Sequence, residues 1–187
     1  MEQVFVSLGS NLGDRLANLR QAIRSVRNFA EVTAISHAYE SEPVEFTAQP
    51  WFLNAVIALR MEGTPEPHLP HAAGASSPDA PRRLLDRLLA IELTMGRRRD
   101  PGDYIPKGPR LIDLDIVLYG SRVIRAPALT IPHPAMHLRR FVLQPLAEIA
   151  PDVEHPILRQ SALELLRALP AGGPIVRSFE AINSLEE

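Results

Sequence analysis

The chain has 187 residues, 45% hydrophobic and 22% charged, an ordinary composition for a soluble globular protein with one full core. A net charge of -2 argues against bulk binding to nucleic acid or anionic membrane, and the lack of cysteine excludes disulfides, thiolate metal sites and a cysteine nucleophile. No apolar run reaches bilayer length and the N-terminus has no basic region followed by a long apolar stretch, so an unprocessed cytoplasmic protein is expected.

Residues 4–8 read as a short buried strand, and Gly9-Ser10-Asn11-Leu12-Gly13-Asp14 as a turn ending in a helix N-cap. The helix carries Leu16, Leu19, Ile23 and Val26 at helical spacing, with Arg15, Arg20, Arg24 and Arg27 outside that stripe. The turn lacks G-x-G-x-x-G, and G-x-x-x-x-G-K-[ST] occurs nowhere. It therefore reads as a tight strand-to-helix connection rather than a phosphate cradle.

A second strand is expected over 32–39, then an irregular stretch, 40–50, whose Pro43 and Pro50 cannot donate to a ladder. A third, over 51–61, turns Trp51, Leu53, Ala55, Ile57 and Leu59 one way and Phe52 and Asn54 the other. An aromatic ring beside a carboxamide suits a flat heterocycle, although from the residues alone a core phenylalanine with a surface asparagine is the commoner arrangement.

From 62 to 81 periodicity disappears, which predicts a flexible loop insertion; His68 and His71 within it lack the carboxylate or thiolate company of a metal site. Asp79 and Pro81 then offer the start of a helix with Leu84, Leu85, Leu88, Ile91 and Met95 on one stripe and Gly96 at its end. Glu92 borders that stripe, placed either to orient an arginine of the cluster that follows or to end the stripe with a charge.

The chemistry concentrates in the next strand, 112–118. Ile112, Leu114, Ile116 and Leu118 are expected on one apolar face, while Asp113 and Asp115 point together from the other. Two carboxylates roughly 6.5 Å apart along a strand suit magnesium, which takes one or two carboxylates together with substrate phosphates. Arg97, Arg98, Arg99, Lys107 and Arg110 precede the pair, and His133, His137, Arg139 and Arg140 follow it. A site for a metal-bound polyphosphate needs both signs of charge at once, so the arrangement reads as nucleotide plus metal.

Beyond it come a turn at Tyr119-Gly120-Ser121-Arg122, a short return strand at Val123-Ile124 and an extended approach to His133. Helical segments follow around 141–149 and 161–169, and after the Gly172-Gly173-Pro174 break an alternating segment runs over 175–182. Strand, helix, two strands, helix, strand is the order of a ferredoxin-like α+β domain, an antiparallel sheet with helices packed on it. One domain over 1–187 without internal repeats is expected.

Four blocks carry a family resemblance: Ser7-Leu8-Gly9-Ser10-Asn11-Leu12-Gly13; Gln49-Pro50-Trp51-Phe52-Leu53-Asn54-Ala55; Gly108-Pro109-Arg110 through Asp113-Leu114-Asp115-Ile116; and Ile131-Pro132-His133 through Arg139 and Phe141. Together they resemble the 6-hydroxymethyl-7,8-dihydropterin pyrophosphokinase family over residues 4 to about 151, leaving 157–187 as a weakly matched C-terminal extension. The resemblance implies an ATP-dependent diphosphokinase of tetrahydrofolate biosynthesis that moves the β,γ-diphosphate of ATP onto a pterin hydroxymethyl group and releases AMP. It implies two magnesium ions on Asp113 and Asp115, and Arg97, Arg99 and Arg110 acting in catalysis with that pair. ATP would be held by Glu92, Arg97, Arg99, Lys107, Arg110, Ile116, His133 and Arg139. The pterin would be held by Ser41, Pro43, Val44, Phe52, Asn54 and Phe141, and with the resemblance the heterocycle reading of Phe52 and Asn54 prevails. A monomer without nucleic-acid or membrane partners is expected.

The chain departs from the family in three places. Pro106-Lys107-Gly108-Pro109-Arg110 stands where Arg-Trp-Gly-Pro-Arg is common, so an aromatic lid is missing or is supplied by Tyr104. The 62–81 segment is long for the family, and Pro134 follows His133 where an aromatic is common. Two other classes compete with this one. A nucleic-acid-binding module would show the K/R-G-F/Y-G/A-F-V-x-F/Y motif, which is absent. A catalytically silent nucleotide or pterin binder on the same fold would have no need of Asp113, Asp115, Arg110 and His133 intact together.

Overall fold

The computed structural model describes residues 2–44, 46–61, 79–97, 108–171 and 176–182. Its centre is a sheet of β1 (Gln3–Ser10), β2 (Glu31–Ile35), β3 (His37–Ser41), β4 (Phe52–Arg60), β5 (Asp113–Tyr119) and β8 (Val176–Ala181), ordered β5-β1-β4-β3-β8 with β2 also paired to β4. Helices α1 (Arg15–Arg27) and α2 (Ala80–Thr94) connect β1 to β2 and β4 to β5. With β2 and β3 counted as one interrupted strand, this is the ferredoxin-like order, and all its pairings are antiparallel. A hairpin of β6 (Ile124–Ala126) and β7 (Leu129–Ile131), then α3 (Arg140–Ile149) and α4 (Ala162–Ala168), complete the chain before β8.

Alternation along the strands makes two cores. On the first face Val4, Val6 and Leu8 of β1 and Leu53, Ala55, Ile57 and Leu59 of β4 meet Leu19, Ile23 and Val26 of α1 and Leu84, Leu88 and Ile91 of α2. Asp14 caps α1 as its sequence position suggests, its Oδ1 accepting from Ala17 N–H at 3.0 Å. Asp79 occupies the N-cap position of α2 but has helical backbone angles and makes no side-chain cap bond. On the second face Phe5, Val56, Ala58, Val117 and Leu118 pack under Val142, Leu143 and Leu146 of α3 and Leu165 of α4. Glu148 pins α3 to β3, its carboxylate accepting from His37 N–H at 3.1 Å and from Tyr39 O–H at 2.9 Å.

Two expectations need correction. The single strand predicted over 32–39 breaks at Ser36, a buried residue whose N–H donates to Val56 O and whose Oγ accepts from Val56 N–H, both at 3.0 Å, before the chain resumes as β3. The strand face proposed for Leu118 is also wrong. Phe5 pairs with Leu118 but Val6 with Ile116, so Val117 is an extra residue, and this bulge puts Val117 and Leu118 in the second core and Tyr119 in the first.

Candidate functional site

The second face is covered only in part. Helices α3 and α4 lie over the half that holds Phe5, Val56, Ala58 and Leu118, and the other half opens into a cleft. The cleft is built from a grid of facing positions: Ser7 lies between Asp115 and Val56, and Gly9 between Asp113 and Asn54. A Cβ added at Gly9 would stand 3.3 Å from Asn54 Oδ1 and 4.0 Å from Asp113 Cβ, so the missing side chain leaves open floor between carboxylate and carboxamide.

On one side of that floor are the predicted heterocycle residues. Phe52 and Asn54 are 8% and 4% exposed on a strand face that still reaches the cleft. The Asn54 amide nitrogen donates to Ser41 Oγ at 2.8 Å and to Tyr39 O at 3.3 Å, which leaves its oxygen, over Gly9, to accept from a ligand. Ser41, Pro43 and Val44 line the same end, with Phe141 facing in from the start of α3.

The other side holds the charge. Asp113 is gripped by Arg97, and by Arg110 at 3.0 Å. Arg97 in turn meets Glu92 at 2.5 Å, and Glu92, 3% exposed on α2, also accepts from Leu114 N–H at 2.8 Å. Of the two placements left open for Glu92, its geometry is that of a carboxylate orienting an arginine. Burial opposes the charge of Arg97, but Asp113 and Glu92 outweigh it and hold the guanidinium protonated. Asp115 differs, its carboxylate making no hydrogen bond or ion pair among the described residues. Burial, then repulsion from Asp113 and Glu92, push its pKa up to about 7 against the pull of Arg139 and Arg97.

His133 is fixed beside the Asp strand by its N–H, which donates to Val117 O at 2.9 Å. Its Nδ1 accepts from Ala135 N–H at 3.2 Å, so the neutral ring carries its proton on Nε2 as a donor. Burial and the nearby Arg139 lower its pKa to about 4. Arg110 lies 5.0 Å from the Phe52 ring centre and Arg139 5.6 Å from that of Phe141, so both arginines sit against the aromatic residues of the cleft. The Arg110 Nε is buried and makes no hydrogen bond among the described residues.

The structure thus gathers Ser41, Pro43, Val44, Phe52, Asn54, Arg110, Asp113, Asp115, His133, Arg139 and Phe141 around one cleft, with Arg97 and Glu92 directly behind Asp113. Ile116 is not among them, since its side chain is buried in the first core on the opposite face of β5. Arg99, Lys107, Tyr104, His68 and His71 lie outside the described residues. Sequence reasoning missed Ser7, Gly9 and Gln49 as lining residues. The available signal was the small pair Ser7 and Gly9, two apart on the strand that pairs with the Asp strand.

The donor set fits a hard cation completed by substrate. Two carboxylates cannot make a protein cage, and among the described residues no group of three or more His, Cys, Asp or Glu could hold a metal alone. Two carboxylates plus phosphate oxygens is what magnesium accepts, and a half-buried Asp115 carboxylate with no partner among the described residues is what a cation would neutralise.

The family model described as 7,8-dihydro-6-hydroxymethylpterin-pyrophosphokinase (HPPK) matches residues 5–151. The chain is 39% identical over 175 residues to the 2-amino-4-hydroxy-6-hydroxymethyldihydropteridine pyrophosphokinase of Pseudomonas aeruginosa, covering 92% of this chain and 95% of that one. It is 37% identical over 164 residues to the Aquifex aeolicus protein of the same name, covering 88% and 90%. Against the folic acid synthesis protein fol1 of Pneumocystis carinii it is 40% identical over 158 residues, 83% of this chain but only 18% of that longer protein. The solved structure of wild-type Plasmodium falciparum HPPK-DHPS with pterin and p-hydroxybenzoate superposes with a TM-score of 0.62 at 14% identity, over 89% of this chain and 41% of that one, a likeness of fold.

Proposed function

The chain belongs to the 7,8-dihydro-6-hydroxymethylpterin-pyrophosphokinase family, and from that premise we propose that it transfers the β,γ-diphosphate of ATP to the hydroxymethyl group of 6-hydroxymethyl-7,8-dihydropterin in folate biosynthesis. The observation that carries the reading is one sheet face with an aromatic and carboxamide corner at one end, a pair of carboxylates at the other and Gly9 as open floor between them. A silent binding protein would have no use for Asp115, a half-buried carboxylate that has no partner among the described residues and is costly to keep ionised.

In the reaction the hydroxymethyl oxygen bonds to the β-phosphorus, the bond from that phosphorus to the oxygen shared with the α-phosphate breaks, and AMP leaves with that oxygen. The hydroxyl proton departs to water. Magnesium, two ions in our assignment, would be held by Asp113 and Asp115 together with the phosphates and would neutralise charge building on the phosphoryl oxygens. Arg110, Arg139 and His133 line the cleft, and their guanidinium groups and the Nε2–H of His133 would donate to those oxygens. Arg97 holds Asp113 in place and is itself held by Glu92, so Glu92 serves the nucleotide through the arginine. Ile116 would meet ATP by its backbone, β5 being an edge strand of the sheet. Arg99 and Lys107 are assigned to the phosphates on the resemblance.

Phe52 and Phe141 supply ring faces for the pterin, Asn54 Oδ1 accepts from its N–H groups, and Ser41, Pro43 and Val44 close the edge. We place the enzyme in the cytoplasm as a monomer acting on these two small molecules; among the described residues no helix is long and apolar enough to cross a membrane. The test is a product assay with ATP, magnesium and the hydroxymethyl pterin. AMP formed only when pterin is present supports the proposal. ADP would reassign the chemistry to an ordinary kinase or ATPase, and pterin binding without turnover would favour the silent binder.

A further inference from the structure

The two carboxylates of the cleft are not held alike. Asp113 has its orientation set by Arg97 and by Arg110 at 3.0 Å. Asp115 has no such grip: Arg139 and Arg97 attract its charge but form no ion pair with it among the described residues. A carboxylate that ligates a metal is itself hydrogen-bonded by a neighbouring group, which fixes the oxygen it offers. The position able to supply that bond is directly opposite. Ser7 of β1 pairs with Asp115 of β5, and both side chains line the cleft. Ser7 is 9% exposed, and its Oγ makes no hydrogen bond among the described residues. Facing side chains on antiparallel strands stand about 4.5–5.5 Å apart at Cβ. A hydroxyl and a carboxylate close that span to one hydrogen bond by rotating about their side-chain bonds, with no movement of the strands.

The other neighbours of Ser7 do not compete for its hydroxyl. Val56, which faces it from β4, packs in the second core and offers no side-chain acceptor. Ser41, the other serine of the cleft, is engaged at the heterocycle end, where its Oγ accepts from Asn54 at 2.8 Å. A residue placed at position 7 merely to leave room would need no hydroxyl, as Gly9 two positions on has none. Building on the function proposed above, we infer that Ser7 is a positioning residue for the metal: its hydroxyl donates to one carboxylate oxygen of Asp115 and turns the other toward the cation shared with the triphosphate. Ser7 does for Asp115 what Arg97 does for Asp113. A neutral donor orients the carboxylate without cancelling the charge that attracts the cation, which a second arginine in contact with it would do.

The test is calorimetric titration of α,β-methylene ATP, in which carbon replaces the bridging oxygen that would leave with AMP, at a series of magnesium concentrations. Wild type, Ser7→Ala, Asp115→Ala and the double variant are compared. Ser7→Ala keeps the floor of the cleft open and removes the hydroxyl alone. The magnesium concentration for half-maximal analogue affinity is expected to rise about tenfold, while affinity in chelator stays within about twofold of wild type. A residue whose role was only to shape the floor would leave the magnesium requirement where it was. In the Asp115→Ala background the same substitution should change that concentration less than about twofold, because Ser7 then has no carboxylate to act through. An unchanged magnesium requirement in Ser7→Ala, or a loss repeated in full without Asp115, overturns the inference and leaves the proposed reaction standing. Wild-type binding that is indifferent to magnesium would overturn both.

Discussion

The same three strands, β1, β4 and β5, present two contrasting halves on one face of the sheet. One half, built on Phe5, Val56, Ala58 and Leu118, is apolar and buried under α3 and α4. The other continues those strands with Ser7, Gly9, Phe52, Asn54, Asp113 and Asp115 and is left open. Pleat and pairing continue from one half to the other, so the difference is one of side chains. The covered half stabilises through transfer of apolar surface from water. The open half gathers groups that oppose folding, since a carboxylate held near two others by a buried scaffold has its ionised form disfavoured. Stability and activity should therefore respond to substitution in opposite halves.

The largest effect is expected at Asp115. Asp115→Asn should lower kcat/KM on the order of 10³-fold, as loss of a group that stabilises developing charge does. Its folded pKa of about 7 lies above the ordinary 3.8, so ionised Asp115 opposes folding above pH 4 and increasingly up to pH 7. In chelator at pH 8 the variant should melt above wild type, and melting below it would break the contrast. In the covered half, Leu146→Ala should cost about 2–5 kcal/mol of stability by chemical denaturation, with kcat/KM below the melting range close to wild type. A matching loss of activity there would show that the halves are not separable.

Two smaller effects sharpen the comparison. Gly9→Ala places a methyl group 3.3 Å from Asn54 Oδ1, in the floor of the cleft, and should raise the KM for pterin about tenfold. Steady-state kinetics with varied pterin at saturating ATP reads it, and an unchanged KM would mean that the heterocycle lies elsewhere. His133 titrates near 4 when folded against 6.5 unfolded, so between those values the unfolded state binds more protons. Stability should therefore fall as pH drops through that window, and less steeply in His133→Asn than in wild type when both are melted from pH 7 to pH 4. Parallel curves would contradict the half-buried neutral imidazole.

What could be read from the sequence was local. The α1 stripe and its Asp14 cap, and the shared face of Asp113 and Asp115, follow from spacing alone and reappear in the structure. What escaped depends on partners distant in sequence. The bulge at Val117 is a mismatch of register between β1 and β5, invisible within either strand, and it carried Leu118 to the other face. The break at Ser36 answers to Val56, twenty residues on. Glu92 was legible as a charge beside an apolar stripe, but its roles toward Arg97 and Leu114 N–H depend on how α2 sits against β5. Asn11 looked like part of a turn because its partners, Gln49 and Arg110, come from two other segments.

The account rests on the two carboxylates of the open half taking a cation together with the triphosphate. Calorimetric titration of α,β-methylene ATP, with and without magnesium, into wild type and Asp113→Ala tests this most directly. The account predicts tight binding to wild type that requires magnesium, and weak binding to the variant that magnesium no longer improves. Equal magnesium dependence in both proteins would contradict it.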